Sequence, residues 1–339
     1  MIDDPLVVAA VAVAISFAGT WIVRAYARRR GLVDVPNERS SHVTPTPRVG
    51  GLAIVTALVL GALFHGRVWS DAPMFALGIA AIMGFLDDAR GMPASLKMAA
   101  IVFAAATVAR ASVVTVAYDV PFAGAVDLGI LAWLLTVAWI ASYANAFNFM
   151  DGIDGIASLT GTVSAGVFAA AGVHRGDAVL VGWAAAACGA SLGFVPWNFP
   201  RARIFMGDAG SLPLGVLLAW CAVHANASGA MAFPASILLL GPFLFDVTFT
   251  LIRRTAQRKR FGEAHKEHLY QRLSRVWGSH AKVSLLYAGF SVITGALALS
   301  YASMGDTAKL LSLTLPLVAM LGFARSVRAA EDRKARRPD

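Results

Sequence analysis

Residues 127–173 read DLGILAWLLTVAWIASYANAFNFMDGIDGIASLTGTVSAGVFAAAGV, and this stretch decides what kind of protein the chain forms. Two apolar runs, residues 127–146 and 155–173, have about the length of 20 residues that a membrane-spanning helix needs. Between them, the segment NAFNFMDGIDGIA (145–157) carries two Asn and two Asp. Carboxylates at a membrane are costly and are usually functional. The stretch therefore predicts two spanning helices joined by a polar site.

The whole chain shares this apolar character. Of its 339 residues, 58% are hydrophobic and only 14% are charged, which is far more apolar than a soluble domain. Windows of spanning length predict an all-α, polytopic integral membrane protein with about 11 transmembrane helices (10 or 11). They form one domain over residues 1–339 that ends in a basic cytoplasmic tail, 325–339. The predicted spans are residues 5–23, 49–66, 72–87, 95–117, 127–146, 155–173, 178–195, 211–227, 231–252, 283–302 and 307–324.

Basic residues fix the predicted orientation. Acidic MIDD precedes the first span and RAYARRR follows it, which argues against a cleavable signal peptide and predicts an anchor with its N-terminus outside. With alternating sides, 25 of the 29 Lys and Arg residues lie in cytoplasmic loops, and the C-terminus is cytoplasmic. The net charge of +9 is therefore a topology signal rather than a nucleic-acid-binding surface. Cys188 and Cys221 fall within spans and are interpreted as packing residues.

Polar residues gather at the cytoplasmic ends of the predicted helices. A transporter would carry them near the membrane midplane, yet the span centres hold almost no ionisable residue, with Asp246 as the main exception. A lipid-binding scaffold would leave the conspicuous Asp residues without a purpose. The pattern favours an enzyme with its active site on the cytoplasmic face. The five polar segments are residues 33–51, 84–91, 145–155, 196–213 and 258–273.

The third polar segment supplies the first candidate ligands. Asn145, Asn148, Asp151 and Asp154 recur every three residues, a spacing that places neighbours on one side of a helix. The glycines that follow both Asp residues allow the backbone to turn or to approach a ligand closely. An elaborate helix cap is the structural alternative. Since one Asp suffices for a cap, four polar residues in register favour a ligand-binding site over a cap.

Two more segments carry Asp residues. Adjacent Asp87 and Asp88 would project about 100° apart on a helix, so they need separate roles unless they only mark a solvated helix end. In FMGDAGSLP (205–213), a glycine turn leads into a helix N-terminus, where free N–H groups favour a phosphate or carboxylate. Asp208 in that turn is a candidate Mg²⁺ ligand. Phe205 is interpreted as a packing residue or as a platform that stacks on a base.

The fifth segment is cationic. His265 and His268 lie three residues apart, but a zinc site lacks an evident third ligand and the HExxH order is absent. A basic loop that neutralises an anionic substrate is the preferred interpretation, with contact to lipid headgroups as the alternative. Carboxylates for a metal, glycine turns near phosphates and cationic side chains together favour phosphoryl transfer.

In this order, the motifs TPTPRVGG (44–51), GFLDD (84–88), NAFNFMDGIDGIA, FMGDAGS (205–211) and the His-bearing loop resemble the polyprenyl-phosphate N-acetylhexosamine-1-phosphate transferases. The resemblance covers about residues 33–273. It implies a multi-pass enzyme of the bacterial inner membrane that transfers N-acetylhexosamine-1-phosphate from a UDP-N-acetylhexosamine to undecaprenyl phosphate and releases UMP. The implied cofactor is Mg²⁺, or Mn²⁺ in its place. Membrane lipid is a further implied partner, nucleic acid is not, and a homodimer is one assembly that the resemblance allows.

The resemblance also implies roles for individual residues, with Asp87 and Asp88 at the lipid phosphate. The last inner loop lacks the run of three His found in the peptidoglycan enzyme, which argues against a muramoyl-pentapeptide donor and favours the O-antigen-initiating branch. Direct attack by the lipid phosphate and a covalent aspartyl-phosphate route both stay open. The catalytic candidates are Asp87, Asp88, Asp151, Asp154, His265 and His268; the metal candidates are Asp208, Asp151 and Asp154; the substrate-binding candidates are Arg48, Lys97, Asn145, Asn148, Asn198, Phe205, Arg258 and Arg260.

Overall fold

The computed structural model describes residues 4–36, 44–65, 72–112, 117–259 and 266–336. Within these ranges the chain forms twelve α-helices, a 3-10 helix at Tyr301–Ser303 and two antiparallel strand pairs. The helices are α1 (Pro5–Arg30), α2 (Gly51–His65), α3 (Ala72–Arg90), α4 (Ala94–Ser112), α5 (Ile130–Met150), α6 (Ile156–Arg175), α7 (Ala178–Asn198), α8 (Asp208–Ser228), α9 (Phe233–Ala256), α10 (Leu269–Trp277), α11 (His280–Ser300) and α12 (Asp306–Ala335). The strand pairs are β1 (Val33–Asp34) with β2 (Thr46–Pro47), and β3 (Ala117–Val120) with β4 (Gly124–Asp127).

The predicted all-α, polytopic class is confirmed, because each predicted span corresponds to one helix. Eight helices of the described ranges are long and apolar enough to cross a membrane, namely α1, α5, α6, α7, α8, α9, α11 and α12. The other three predicted spans are the 15-residue α2 and the 19-residue α3 and α4. The chain is a multi-pass membrane protein.

Two elements lie where the sequence windows predicted none. The nine-residue α10 is too short for such a window, and it is amphipathic, with Leu269, Tyr270 and Leu273 buried against the bundle. The β3–β4 hairpin takes up residues 117–127, where the predicted spans 95–117 and 127–146 had left a loop. Tyr118 of β3 packs edge-on against Phe233, with 5.3 Å between ring centroids. Both elements form because they bury apolar side chains on the bundle, which is a tertiary effect.

The last helix is longer than its predicted span. α12 continues through Ala335, so most of the basic tail from residue 325 is helical. Ala, Arg, Glu and Lys dominate this extension, and these residues have high helix propensity. The end of α12 therefore stands beyond its apolar portion and packs against α10.

Helix α8 lies at the centre of the bundle and determines where the polar segments meet. It is buried along nearly all of its apolar length and packs against α2, α3 and α5. The backbones come very close at Gly84 of α3, where an added Cβ would overlap the backbone of Asp208. The end of α3 is thereby held directly against the start of α8.

The polar segments that the sequence predicted to converge do meet at this end of the bundle. The Gly50 N–H donates to the Phe205 carbonyl at 2.9 Å, and the Phe205 N–H donates to the Pro47 carbonyl at 2.8 Å. The Tyr270 hydroxyl of α10 donates to the Phe149 carbonyl at the end of α5 at 2.8 Å. With α3 already beside Asp208, all five segments contribute to one face.

Candidate functional site

Asp208, the first residue of α8, is the centre of the candidate site. It follows Gly207, whose φ of 69° lies in the left-handed region that favours glycine. One carboxylate oxygen accepts a hydrogen bond from Asn148 Nδ2 at 2.7 Å, and the other accepts from Lys97 Nζ at 2.7 Å. Asn148 Nδ2 also donates to Ser211 Oγ at 2.8 Å. Two helices distant in sequence, α4 and α5, thus orient this carboxylate.

Lys97 joins two of the sequence motifs. Its ammonium group lies 3.1 Å from Asp87 Oδ2 as well as 2.7 Å from Asp208 Oδ2, and all three side chains are about four-fifths buried. Asp87 also accepts from the Met92 N–H at 2.7 Å. A single lysine therefore balances two carboxylates in a partly dehydrated pocket, where charge interactions are stronger than in water.

Asp88 has different partners from its neighbour. Its two oxygens accept from the N–H groups of Asp208 at 3.2 Å and Ala209 at 2.9 Å, so it caps the N-terminus of α8. Arg48, which follows β2, is close enough to interact favourably with the Asp88 charge. The anion-favouring helix end that the sequence predicted is thus occupied by a carboxylate of the chain itself.

We expect Asp87→Asn and Asp88→Asn to give different kinetic defects. Asp87→Asn weakens one ion pair of Lys97, whereas Asp88→Asn removes a carboxylate that accepts two backbone N–H groups at the start of α8. Asp88→Asn should therefore also lower thermal stability, because an amide offers one oxygen where the carboxylate offers two. The Michaelis constants for lipid and UDP-sugar, together with the melting temperature, are the measurements. Identical profiles for both variants would contradict separate roles.

Asp151 and Asp154 follow α5 and lie in different surroundings. Desolvation, together with the neighbouring carboxylates of Asp208, Asp88 and Asp154, raises the pKa of Asp151 well above its usual range. Asp154 is paired with His280 of α11, with 3.3 Å between its Oδ2 and the ring Nδ1. Asp151 thus lies near the other carboxylates, while Asp154 pairs with α11.

The carboxylates fit a hard divalent cation in chemistry and in charge. Lys97 pairs with Asp87 and Asp208, and the carboxylates of Asp208 and Asp88 lie near enough to Asp151 to act on its charge. Within the described residues, no group of three or more His, Cys, Asp or Glu side chains is arranged to hold a metal ion. Mg²⁺ does not need such a group, because it usually takes one or two carboxylates and completes its shell with water and phosphate oxygens. Each carboxylate oxygen can also accept more than one partner.

Two of the predicted substrate-binding Asn residues have structural partners. Asn145 Nδ2 donates to the Ala141 carbonyl at 2.8 Å and approaches Met98 Sδ at 3.5 Å, away from Asp208. Asn198 is buried, accepts from the Gly155 N–H at 2.9 Å and donates to the Ile204 carbonyl at 3.1 Å. The side chains of the three-residue series point in different directions, because three residues of an α-helix turn by about 300°, which is about 60° short of a full turn. Their contacts with substrate stay predictions.

The fifth segment is anchored by Asp246, which the sequence showed only as an ionisable residue within a predicted span. Asp246 of α9 is completely buried, and its carboxylate accepts from the N–H groups of Leu269 at 2.8 Å and Tyr270 at 3.0 Å. The hydroxyl of Tyr287 donates to it at 2.5 Å, and His268 Nδ1 lies 3.2 Å away. Asp246 therefore fixes the start of α10, and with it Tyr270, against the end of α5.

The cationic candidates of this segment are placed only in part. His268 is buried at the N-cap of α10 rather than exposed toward solvent. Arg258 follows α9 in a left-handed backbone conformation with φ of 57°. His265 and Arg260 lie outside the described residues. That His268 and Arg258 contact a substrate phosphate stays a prediction.

We expect Asp246→Asn to destabilise the fold, because an amide nitrogen cannot accept the hydrogen bonds that the second carboxylate oxygen accepts. Leaving buried donors unsatisfied costs about 1–3 kcal/mol each. Thermal unfolding followed by size-exclusion chromatography in detergent measures the effect. The matched control is Asp332→Asn, since Asp332 is exposed on α12. Equal melting temperatures for the two variants would contradict the anchoring role.

Sequence reasoning missed three residues of the site. They are His280, which contacts Asp154; Ser211, which contacts Asn148; and Tyr270, which contacts the carbonyl of Phe149. Ser211 carried a signal, since it lies in the same motif as Asp208 and follows Gly207 of the glycine turn by four residues. His280 and Tyr270 carried none, because their partners lie more than a hundred residues away in the chain.

Comparison with known proteins places the chain beside membrane transferases. A family model described as glycosyl transferase family 4 matches residues 72–226, the part that holds α3 to α8 and all the central carboxylates. The chain is 36% identical over 310 residues to the decaprenyl-phosphate N-acetylglucosaminephosphotransferase of Mycobacterium tuberculosis, which covers 80% of this chain and 76% of that protein.

Two other relatives differ in their described substrates. A Bacillus subtilis protein described as a probable undecaprenyl-phosphate N-acetylglucosaminyl 1-phosphate transferase is 31% identical over 317 residues, covering 90% of this chain and 88% of that protein. The phospho-N-acetylmuramoyl-pentapeptide-transferase of Lacticaseibacillus paracasei is 29% identical over 282 residues, covering 76% and 84%.

Proposed function

The chain belongs to glycosyl transferase family 4, and from this premise we propose that it transfers N-acetylhexosamine-1-phosphate from a UDP-sugar to a polyprenyl phosphate and releases UMP. The observation that carries the proposal is the oriented Asp208 carboxylate beside Asp87, Asp88 and Asp151, with Lys97 between two of them. Crowded carboxylates with a buried cation fit a reaction in which two phosphate groups must approach each other.

The proposed donor is UDP-N-acetylglucosamine. The Mycobacterium tuberculosis and Bacillus subtilis relatives are 36% and 31% identical to this chain, and the names of both specify N-acetylglucosamine. The relative named for muramoyl-pentapeptide is 29% identical. The lipid length is open, since the first relative is described by decaprenyl phosphate and the second by undecaprenyl phosphate. We propose undecaprenyl phosphate and an envelope polysaccharide pathway, with O-antigen initiation as one case.

The chain's own residues would meet the main electrostatic obstacle. A phosphate monoester has a second pKa near 6, so the lipid phosphate is mostly dianionic at neutral pH and needs no strong base. Asp151 and Asp208 would hold Mg²⁺, or Mn²⁺, which when bound supplies charge neutralisation for the diphosphate. Lys97 would add a positive charge to the same region, and Asn148 would keep Asp208 in position. Asp87 lies beside Lys97 and is the better placed of the paired carboxylates for the competing covalent route.

The proposed setting is the bacterial inner membrane, with the N-terminus outside and the site on the cytoplasmic face. The distribution of Lys and Arg supports this orientation, because the described site lies at the end of the bundle that also carries the basic end of α12. UDP-sugars are soluble nucleotides, so a site on this face would meet its donor directly.

We expect purified protein to release UMP from UDP-N-acetylglucosamine when undecaprenyl phosphate and Mg²⁺ are present. The panel includes UDP-N-acetylgalactosamine, UDP-N-acetylmuramoyl-pentapeptide and decaprenyl phosphate, and lipid products are identified by mass spectrometry. Turnover of the pentapeptide donor alone would establish the alternative activity within the family. Lipid-linked sugar transport across liposomes without any UMP would establish the transporter alternative instead.

A further inference from the structure

A cavity of about 320 Å³ lies between α10 and the end of α12, apart from the carboxylate site. None of the Asp and Asn residues of that site lines it. Three of its lining residues are cations and one is an acid, so its walls carry a positive excess. The lining residues are Arg272, Arg275, Val276, Glu331, Lys334 and Ala335.

The single acid of this cavity is already engaged. Glu331 accepts from Arg272, whose Nε lies 2.9 Å from Oε1 and whose Nη2 reaches Oε2. Arg275 Nη1 and Lys334 Nζ instead donate to backbone carbonyls, those of Lys266 at 3.0 Å and Arg275 at 2.8 Å. Because Arg has five donors and Lys three, both side chains keep donors to spare for an anion.

A further cation, Arg253 of α9, lies near residues of this cavity. Arg253 Nη1 is buried and has no hydrogen-bond partner among the described residues. Arg272 and Arg328 lie close enough to Arg253 to repel its charge, while Glu267 and Glu331 lie close enough to attract it. Buried donors are rarely left unsatisfied without a ligand or water nearby. Arginines of α9, α10 and α12 thus lie together with two glutamates, which leaves an excess of positive charge.

The position of the cavity suits a lipid rather than a soluble ion. Trp277, at the end of α10, is 44% exposed, and tryptophan is enriched at the level of lipid headgroups. The apolar part of α12 presents Leu315 and Val318 outward, as a helix in contact with acyl chains does. The cavity lies where that apolar surface gives way to a charged helix end, and apolar Val276 forms part of its wall.

We propose that this cavity binds the phosphate headgroup of an anionic phospholipid, with Arg275 and Lys334 as its principal contacts. The bound headgroup joins α10 to α12. Because α10 also holds Tyr270 against the end of α5, the lipid site is connected to the carboxylate site by one short helix. The proposal is independent of the transfer reaction.

The test compares lipid binding to the full-length protein and its variants. Delipidated protein in neutral detergent is titrated with phosphatidylglycerol or phosphatidylcholine, and bound lipid is counted by native mass spectrometry. A basic side chain near a membrane surface contributes about fivefold in affinity for anionic lipid. We expect Arg275→Gln combined with Lys334→Gln to weaken the tightest phosphatidylglycerol site by roughly 20-fold or more. The matched control is Arg333→Gln, an exposed α12 residue outside the cavity.

Three results would overturn the proposal. The first is equal weakening by the control, which would mean that general charge governs binding. The second is equal affinity for a ligand other than an anionic lipid. Equal affinity for phosphatidylcholine would mean that the site does not select an anionic headgroup, and equal affinity for soluble glycerol phosphate would mean that it does not require a lipid. The third is displacement of phosphatidylglycerol by UDP-N-acetylglucosamine, which would make the cavity part of the donor site. Melting temperatures of all variants show that each is folded, and none of these readouts requires turnover.

Discussion

Asp208→Asn is expected to insert and fold normally but to lower kcat by a factor of roughly 10³, the equivalent of about 4 kcal/mol. The amide keeps the shape of the side chain and can still accept from Asn148, so the start of α8 should be preserved. What disappears is the negative charge that faces Lys97 and that would hold a divalent cation. UMP release over a range of Mg²⁺ concentrations is the measurement.

The control for this variant is Asp306→Asn. Asp306 is also the first residue of a long apolar helix, but it is exposed and lies at the start of α12. A loss from Asp208→Asn that is shared by Asp306→Asn would reflect helix-end electrostatics in general. Near wild-type activity of Asp208→Asn at limiting Mg²⁺ would exclude Asp208 as a metal ligand.

The metal dependence gives this prediction a second readout. If Asp151 and Asp208 both hold the ion, Asp208→Asn should shift the Mg²⁺ concentration for half-maximal activity upward as well as reduce the plateau. Replacing Mg²⁺ with Mn²⁺ should restore part of the activity, since Mn²⁺ accepts similar oxygen ligands and binds nitrogen and oxygen sites more tightly. An unchanged half-maximal concentration would mean that Asp208 acts on the substrate without the metal.

The helices were predictable because membrane solvent imposes a simple rule on sequence. A segment in lipid must be apolar over about 20 residues, so composition alone located eleven of the twelve helices of the described residues. The exception, α10, is held by Asp246 and by burial of Leu269 and Tyr270. Those are long-range contacts, and neither length nor periodicity in the local sequence reports them.

The candidate site was predictable only where its residues lie on the turn or helix end that creates it. The glycine turn before Asp208 and the neighbours Asp87 and Asp88 are local patterns, and their different orientations follow from helix geometry. Asn145 shares the spacing of Asn148 but contacts α4 instead, because a spacing of three drifts around an α-helix. His280 reaches Asp154 through the packing of α11 on α6, which no motif encodes.

Lys97 was predicted only as a substrate-binding candidate, and its contacts with two carboxylates were not evident from the sequence. A lone lysine near the start of a span is usually a snorkelling side chain at the membrane surface. Here its ammonium group lies between Asp87 and Asp208, at 3.1 Å and 2.7 Å from their carboxylate oxygens. We therefore propose that Lys97 acts in the reaction centre rather than at the lipid interface.

We expect Lys97→Met to reduce kcat by a factor of roughly 10² to 10³, the scale of losing one preorganised charge-stabilising donor. Methionine keeps the apolar length of the side chain, so the packing of α4 on α3 should survive, while Asp87 and Asp208 are left to repel each other. Lys97→Arg should recover part of the rate because it restores the charge with a different shape.

The control is Arg90→Gln, because Arg90 is an exposed cation at the end of α3, two residues after Asp88. Single-turnover UMP release separates the chemical step from substrate binding. A change confined to the Michaelis constant for lipid would mean that Lys97 serves lipid binding at the membrane surface, and it would contradict a role in the chemical step.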